Sequence, residues 1–179
     1  DNTAAPDREQ AYDGELPHLS ATLEPDEAAT PAPEAEAALA AGQLADQTLA
    51  SMTLDEKLWQ LFFVTPAAIT KVETATLAGA APKAALESQP VGGRGYFAKN
   101  LENRAQTVTL LENSQSYSKI PLFLGVDEEG GTVSRLKTSG LDIDTGVGTM
   151  QSIGETADPA AAYAAGQEIA GNLHALGFN

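Results

Sequence analysis

Short runs of consecutive apolar residues recur along the second half of the chain. They lie at residues 61–64 and at 122–126, where every residue except one glycine is apolar, and a glycine pair followed by Tyr96 and Phe97 indicates another short strand from about Arg94. Runs of this length bounded by Gly or Pro are typical of strands buried on both faces of a parallel sheet. The pattern therefore predicts three short strands, of which those at 61–64 and 122–126 are buried.

Helices are predicted before, between and after these strands. Thr53 and Glu56 form a capping box, in which the Thr53 hydroxyl satisfies a free N–H and the Glu56 carboxylate reaches back, so a helix should cover residues 54–60. The apolar spacing and the candidate caps predict further helices at 37–52, within 67–89, at about 104–117 after Asn100 or Asn103, and from Asp158 and Pro159 to about Leu176. The buried side of that last helix is predicted to hold Ala162, Ala165, Ile169, Leu173 and Leu176.

The order of elements predicts an α/β fold. The predicted strands begin near residues 61, 94 and 122, so they are 33 and 28 residues apart. A (β/α)8 barrel of about 250 residues would use roughly 31 residues for each unit. A doubly wound sheet fits the same spacing, and the periodicity alone leaves both architectures open. We expect Trp59 and the neighbouring Phe62 and Phe63 to pack in the core rather than to stack on a sugar.

Acidic residues are concentrated in the first part of the chain. Residues 1–50 contain eleven Asp and Glu side chains and a single Arg, in a chain of net charge −15. Such a segment has too few large apolar groups to offset its ordering entropy. We therefore predict a disordered, acidic, Pro/Ala-rich leader at 1–40 and a folded domain at 41–179. The acidic charge also disfavours binding to nucleic acid or to anionic membranes.

The leader also bears on localisation. An acidic Pro/Ala-rich stretch that begins with Asp1 resembles the spacer behind a cleaved export signal or a lipid anchor. We expect an extracellular or cell-surface location in a bacterium, with a cytoplasmic location as the alternative. The chain has no cysteine, so thiol usage does not indicate a redox compartment, and no apolar run approaches the roughly 18 residues of a transmembrane helix.

The most distinctive polar segment follows the third predicted strand. Asp127, Glu128 and Glu129 come directly after the apolar run, and Gly130 and Gly131 end the segment. A charged, glycine-ended loop at the C-terminal end of a buried strand is a common place for a site in α/β folds. The loop lacks the ligand spacing of an EF-hand, and its glycines match neither a dinucleotide fingerprint nor a P-loop.

Four segments together resemble the N-terminal domain of glycoside hydrolase family 3. Residues 52–62 are similar to the family's opening MTLEEKxxQLF, residues 91–103 to a GGxxxF and Asn segment, residues 120–136 to PxxxxxDxEGGxVxRL, and the closing helix with residues 173–179 to LxxxGxN. The resemblance covers about residues 44–179, and the third segment is the most specific. The short acidic loop and the Asp158-Pro159 helix entry are more like the β-N-acetylhexosaminidase branch than the larger β-glucosidases.

The resemblance implies a fold, an activity and a sugar site. The fold would be the N-terminal part of a TIM-like (β/α)8 barrel, truncated after about three βα units. The activity would be retaining hydrolysis of terminal β-linked N-acetylhexosamines, without metal or organic cofactor. Asp127 would bind hydroxyls of the non-reducing sugar and Arg135 would help to fix that end, because a carboxylate accepts two donors and a guanidinium donates in a plane. Glu129, Gly130 and Gly131 would support the loop, with the glycines letting backbone and sugar approach closely.

The resemblance has limits within this chain. Thr132 stands where the family commonly has Arg or a similar long polar residue. The family's catalytic Asp and its His-containing acid/base loop are expected beyond Asn179, so no catalytic residue is assigned here. Asp127 with Glu129 is a poor catalytic pair, since loop carboxylates two residues apart do not straddle a substrate. Glu128 and Glu129 remain open between loop partners and solvated charges. The alternatives are a β-glucosidase-type hydrolase and a non-catalytic carbohydrate-binding module.

Overall fold

The computed structural model describes residues 33–72 and 74–179. The chain divides into two units, 1–44 and 45–179, and the first is described only as the beginning of helix α1 (Pro33–Ser51). The predicted leader therefore falls largely on residues 1–32, outside the described residues. Its last part, residues 33–40, belongs to helix α1, and the division into a leader and a folded domain at residue 40 stays a prediction. Alanine and glutamate favour helix locally, and proline is well accommodated in a first turn.

The second unit alternates helices and strands. The further helices are α2 (Leu54–Trp59), α3 (Pro66–Thr70), α4 (Ala80–Ser88), α5 (Arg104–Ser116), α6 (Arg135–Thr138), α7 (Met150–Glu155) and α8 (Pro159–His174), with a single 3-10 turn at Ala98–Asn100. The strands are β1 (Phe63–Val64), β2 (Gly93–Tyr96), β3 (Phe123–Val126), β4 (Glu128–Gly130) and β5 (Val133–Ser134). The hairpin of β4 and β5 and the helices α6 and α7 lie between β3 and α8, where no strand or helix is predicted from the sequence.

Three strands form a parallel sheet in the order β1-β2-β3. Phe63 pairs with Gly93, and Gly93 pairs with Phe123, so the three strands are in step at this level. Helices connect each strand to the next, as parallel pairing requires. The predicted α/β fold with a parallel sheet is confirmed.

The predicted helix caps are confirmed at three helix starts. The Thr53 hydroxyl accepts from the backbone N–H of Glu56 at 3.2 Å, and the Glu56 carboxylate accepts from the N–H of Thr53 at 2.8 Å, which completes the capping box. Asn103 caps α5, and Asp158 caps α8 through the N–H of Ala160 at 2.9 Å. These bonds satisfy donors that a helix start leaves unpaired.

One face of the sheet is covered. Side chains that alternate along β2 and β3 point towards the helices, and the buried core on this side comprises Leu86, Val91, Tyr96, Leu110, Leu111, Leu122, Leu124, Leu176 and Phe178. The rings of Tyr96 and Phe178 meet edge to face at 6.0 Å between centroids. We call this the covered face; it buries most of the large side chains of the domain.

The covered face also contains a cation. Arg94 is almost completely buried, and its Nη1 donates to the Ser114 hydroxyl at 3.2 Å. The Tyr96 hydroxyl donates to the same oxygen at 3.0 Å, and Ser114 donates to the Leu110 carbonyl at 2.7 Å. The Nε of Arg94 has no hydrogen-bond partner. Burial lowers the pKa of the Arg94 guanidinium below its ordinary value.

The opposite face of the sheet is open. It consists of Phe63, Gly93, Gly95, Phe123 and Gly125, and we call it the open face. Phe63 is 57% exposed and Phe123 is 69% exposed, so the prediction of strands buried on both faces is wrong for the described residues. The prediction of core packing is also wrong for Phe62 and Phe63, while Trp59 packs against the core. No described helix covers this side of the sheet.

Helix α8 is less buried than its apolar spacing predicts. None of its residues is fully buried; of the predicted set, Leu176 beyond the helix end is buried in the core and Leu173 packs against it. Ala162 is exposed, while Ala165, Ile169 and Leu173 are half-buried. The chain then returns to the sheet, where Asn179 donates to the Leu122 carbonyl at 3.0 Å and accepts from the Leu124 N–H at 2.7 Å. Among the described residues, no helix is both long and apolar enough to span a bilayer.

Candidate functional site

Strand β3 brings Asp127 to the C-terminal edge of the sheet. The chain then forms the β4–β5 hairpin and enters α6 at Arg135, so that residue returns towards Asp127. Arg135 Nε and Nη2 donate to the same oxygen, Asp127 Oδ2, at 3.0 and 2.5 Å. The structure therefore brings together the two residues that the sequence assigns to sugar binding. The contact is an ion pair between a residue at the end of β3 and the first residue of α6.

Asp127 and Arg135 form an ion pair whose two side chains are partly exposed to solvent. The Arg135 hydrogen bonds hold the pKa of the Asp127 carboxyl below its ordinary value, against a smaller opposite effect of burial. The same hydrogen bonds raise the pKa of Arg135. The side chains of Asp127 and Arg135 are 40% and 30% exposed. Asp127 is thus a carboxylate at neutral pH, and neither Arg135 bond uses its Oδ1.

Glu128 holds the loop in place. Its Oε2 accepts from the Leu136 N–H at 2.9 Å, and its Oε1 accepts from the Gly130 N–H at 3.3 Å. These bonds connect the β4–β5 hairpin to the first turn of α6, where Ser134 is the N-cap. Of the two interpretations left open by the sequence, Glu128 is therefore a loop partner. Glu129 is exposed, and its charge contributes to the raised pKa of Arg135.

The two loop glycines adopt backbone conformations that favour glycine. Gly130 has φ of 75° and Gly131 has φ of 54°. A Cβ at Gly130 would lie 2.7 Å from Val147 Cγ1, and a Cβ at Gly131 would lie 2.6 Å from Thr149 Cγ2. The expected close approach at these glycines is thus made by the chain's own segment 147–149, with Gly131 donating to the Val147 carbonyl at 3.0 Å. Close approach of a sugar to these glycines stays a prediction.

Beside Asp127 lies an open cavity of about 520 Å³. Its lining residues come from the C-terminal ends of β2 and β3 and from Phe63 of β1, whose ring lies beside Gly95 and Gly125: Phe63, Gly95, Tyr96, Phe97, Gly125, Val126 and Asp127. The only charged group in this lining is the Asp127 carboxylate. Phe97 is not among the site residues predicted from the sequence, although the spacing of Gly93, Gly95 and Phe97 by two residues places them on one face of a strand.

Thr132 and His174 do not belong to the site formed by Asp127, Arg135 and the cavity. Thr132 is exposed within the β4–β5 hairpin, and His174 is exposed at the end of α8. His18 lies outside the described residues. Within 33–72 and 74–179, no group of three or more His, Asp and Glu side chains is arranged to hold a metal ion. The described chemistry is therefore that of a carboxylate and a guanidinium beside an apolar, aromatic cavity, which suits a neutral ligand rich in hydroxyl groups.

Comparison with known proteins gives matches of one kind. Residues 53–179 match the family model described as the glycosyl hydrolase family 3 N terminal domain. A beta-hexosaminidase of Bordetella avium (strain 197N) is 37% identical over 95 residues, and beta-hexosaminidase A of Pseudoalteromonas piscicida is 39% identical over 71 residues. These alignments cover 50% and 37% of this chain.

A solved structure is also similar. It is a glycoside hydrolase family 3 beta-N-acetylglucosaminidase from Paenibacillus sp. str. FPU-7, with 29% sequence identity and a TM-score of 0.60 over 72% of this chain. The chain spans 26% of the length of the Bordetella avium relative, 11% of the Pseudoalteromonas relative and 23% of the Paenibacillus chain. The similarity therefore concerns one part of these longer enzymes.

Proposed function

Because this chain belongs to glycosyl hydrolase family 3, as part of its N-terminal domain, we propose that it supplies the sugar-binding part of a retaining β-N-acetylhexosaminidase. The complete protein would release terminal β-linked N-acetylhexosamines from a carbohydrate. The similarity to two beta-hexosaminidases and to a beta-N-acetylglucosaminidase supports this substrate class. The observation that carries the proposal is the Asp127 carboxylate, ion-paired to Arg135 at the C-terminal edge of the parallel sheet.

The proposed role of Asp127 follows from its electrostatics. An ionised carboxylate accepts hydrogen bonds from two neighbouring hydroxyls, and bonds to a charged acceptor are stronger than bonds between neutral groups. The hydrogen bonds from Arg135 lower the pKa of Asp127, so the carboxylate stays ionised further into acid. Arg135 would also donate to the sugar through guanidinium nitrogens not directed at Asp127. The two residues would thereby orient a ring that has no charge of its own.

Retaining hydrolysis requires a nucleophile and a general acid/base on either side of the scissile bond, at about 5 to 5.5 Å from one another. The loop of this chain offers no convincing pair, because Glu128 is engaged by two backbone N–H groups and Glu129 follows on the same short strand. We therefore assign the bond-breaking groups to the longer protein and the recognition of the terminal sugar to Asp127 and Arg135. The proposed reaction is a double displacement.

We also propose that the parallel sheet forms the first part of a (β/α)8 barrel. Parallel sheets are ordinarily covered on both faces, and here glycines and phenylalanines occupy a face without cover. Closing the sheet would turn this open face inwards, where barrels pack their central side chains. The Asn179 side chain already bonds to the backbone of β3, at the position where a fourth strand would pair.

Asp127→Asn in the full-length protein tests the sugar-binding role. The substitution keeps the shape of the side chain and removes its charge. Losing a charged partner for a hydroxyl costs about 1.5 to 3 kcal/mol, so kcat/KM for a chromogenic β-N-acetylglucosaminide should fall roughly 10- to 200-fold. Azide or formate should not restore activity, because these anions replace a missing nucleophile.

Asp144→Asn is the matched control for this experiment. It removes the charge of an exposed aspartate that pairs with Lys137 at 2.6 Å, outside the cavity, and should leave kcat/KM unchanged. Unchanged turnover in Asp127→Asn would refute the sugar-binding role. Rescue by azide with a change of product anomer would identify Asp127 as the nucleophile instead. Faster cleavage of a β-glucoside than of the β-N-acetylglucosaminide would favour a β-glucosidase.

A further inference from the structure

We propose that Phe97, with Phe63 beside it, forms an aromatic wall that stacks against the C–H face of the sugar bound by Asp127. This inference rests on the proposed function and adds a binding residue to the same site. Phe97 follows β2 directly and is 41% exposed, and both phenylalanines line the cavity that Asp127 borders. A large aromatic side chain exposed beside a carboxylate offers the two kinds of contact that a pyranose ring needs.

The strand register places Phe97 level with Asp127. Gly93 pairs with Phe123 and Gly95 pairs with Gly125 across β2 and β3. Side chains alternate between the two faces along each strand, so the next pair on the open face is Phe97 and Asp127. The backbone of Phe97 is still extended, with φ of −127° and ψ of 167°, so the alternation continues through this residue. Both side chains therefore belong to the open face, at the edge where the cavity lies.

Phe63 lies on a shelf of glycines. A Cβ at Gly95 would lie 2.9 Å from Phe63 Cε1 and one at Gly125 would lie 3.1 Å from its Cζ, while a Cβ at Gly93 would overlap the ring. The ring can approach the sheet this closely only because these positions lack side chains. Because the Phe63 ring lies close to the sheet, it does not fill the cavity that it lines together with Phe97. That cavity is the space we assign to the ligand. The glycines thus allow the Phe63 ring to pack directly against the sheet beside the cavity.

The backbone at Phe97 is fixed by buried contacts. Its N–H donates to Asn100 Oδ1 at 2.9 Å, and Asn100 Nδ2 donates to the Ala75 carbonyl at 2.9 Å. Asn100 itself is buried. Part of the entropy cost of ordering this wall is therefore met during folding, which favours binding by a pre-organised site.

The chemistry of a β-linked hexosamine fits this arrangement. A pyranose chair has hydroxyls around its edge and C–H bonds across its faces, and the face of an aromatic ring is electron-rich. Asp127 would accept hydrogen bonds from the edge while Phe97 covers the apolar face. A few polar groups set in an apolar, aromatic lining is the usual composition of a small-molecule site.

The test uses the full-length protein and two substitutions at one position. Phe97→Leu keeps an apolar side chain and removes the aromatic face, whereas Phe97→Tyr keeps the face. Stacking of this kind corresponds to a loss of about 2- to 10-fold in kcat/KM for a chromogenic β-N-acetylglucosaminide in Phe97→Leu. Phe123→Leu is the control. Phe123 lies on the same open face at the start of β3, where it pairs with Gly93, and it does not line the cavity.

Binding of N-acetylglucosamine measured by NMR provides a readout that does not depend on hydrolysis. The ring protons of the bound sugar should shift upfield in the wild-type protein and in Phe97→Tyr, and this shift should be lost in Phe97→Leu. Nuclear Overhauser contacts between the Phe97 ring and sugar C–H protons should accompany it. These contacts in the wild-type protein decide the matter even where Phe97→Leu fails to fold.

Each outcome separates this inference from the proposed function. If Asp127→Asn impairs turnover while Phe97→Leu leaves both kcat/KM and the upfield shift unchanged, the aromatic wall is refuted and the sugar site stands. Equal losses in Phe97→Leu and Phe123→Leu would show a general effect on the sheet and would also refute the wall. If the wild-type protein neither cleaves the glycoside nor binds N-acetylglucosamine, both proposals fail together.

Discussion

The two faces of the parallel sheet are built from the same three strands but from different side chains. The covered face has leucines, a tyrosine and a buried arginine packed under helices, while the open face has glycines and exposed phenylalanines. Residues one position apart in sequence therefore belong to different environments. Because burial of apolar surface stabilises the fold, the covered face stabilises the domain. The open face leads directly to Asp127 and the cavity, so its small side chains provide space for a ligand.

Neighbouring residues of β3 give the most direct test of this contrast. Leu124 is 3% exposed on the covered face, and Phe123 is 69% exposed on the open face. In the 179-residue chain, Leu124→Ala should lower the free energy of unfolding by about 2 to 5 kcal/mol, because it removes buried contacts and leaves a cavity. Phe123→Ala removes a larger side chain but should cost less than about 1 kcal/mol. Urea unfolding of both variants measures the difference.

Equal costs for the two variants would mean that the open face is covered in solution, for example by a second copy of the chain. The comparison also becomes sharper in the full-length protein. If the sheet closes into the proposed barrel, Phe123 turns inwards, and the cost of Phe123→Ala should increase while that of Leu124→Ala stays similar. An unchanged cost for Phe123→Ala would argue against closure.

Arg94 is the exception on the covered face, where every neighbouring position on the sheet is apolar or aromatic. Its guanidinium is buried with a neutral hydroxyl as partner, and its Nε has none. A buried polar group without a partner costs about 1 to 3 kcal/mol. Arg94→Met should therefore stabilise the domain by an amount within this range. Ser114 keeps its hydrogen bonds to Tyr96 and to the Leu110 carbonyl in this variant.

Thermal unfolding of Arg94→Met, with Arg94→Lys as control, measures this effect. The lysine variant keeps a buried cation and should show no gain in melting temperature. A melting temperature of Arg94→Met well below that of the wild-type protein would mean that the guanidinium has a partner in solution. Such a result would also mean that a polar contact of Arg94 stabilises the covered face.

The features that the sequence predicts correctly depend on neighbouring residues. Thr53, Asn103 and Asp158 each cap a helix through an N–H two or three residues ahead, and local patterns of this kind are visible in sequence. The Leu122 to Val126 run likewise predicts β3. An apolar run does not show, however, whether one or both faces of a strand are covered, because Phe123 and Leu124 are equally apolar. The burial of Phe123 was wrongly predicted for this reason.

The site shows the same division between local and long-range features. The positions of Asp127 and Arg135 follow from the loop and its spacing, and the structure brings them into contact. Glu128 and Glu129 are identical residues side by side, and only the fold assigns Glu128 to the N–H of Leu136. Packing of segment 147–149 on the loop glycines depends on contacts more than fifteen residues apart in sequence. No local pattern predicts such contacts.

The smallest effect that we predict concerns the link between Arg135 and Asp127, where the open face meets the loop. Arg135→Gln removes the main cause of the lowered Asp127 pKa, so this pKa should rise towards its ordinary value. The wild-type pair stabilises the fold above the ordinary pKa of Asp, and this stabilisation is lost as the pH falls through the lower, folded-state pKa. The stability difference between wild type and Arg135→Gln should therefore be present at neutral pH and disappear in acid. Since both side chains are partly exposed, it should be small and should decrease with added salt.

An NMR titration of the Asp127 carboxyl carbon measures the pKa change directly, and a neighbouring ion pair supplies the control. Lys137 lies two residues after Arg135 on α6 and pairs with Asp144 at 2.6 Å. Lys137→Gln removes a positive charge from the same helix and should raise the pKa of Asp144, whose low value is caused mainly by its Lys137 hydrogen bond, while leaving the Arg135 contact with Asp127 in place. An Asp127 pKa that does not move in Arg135→Gln would mean that the ion pair is not formed in solution. Equal movement in both variants would mean that Asp127 responds to the net charge of α6. Only movement confined to Arg135→Gln supports Arg135 as the specific partner that lowers the pKa of Asp127.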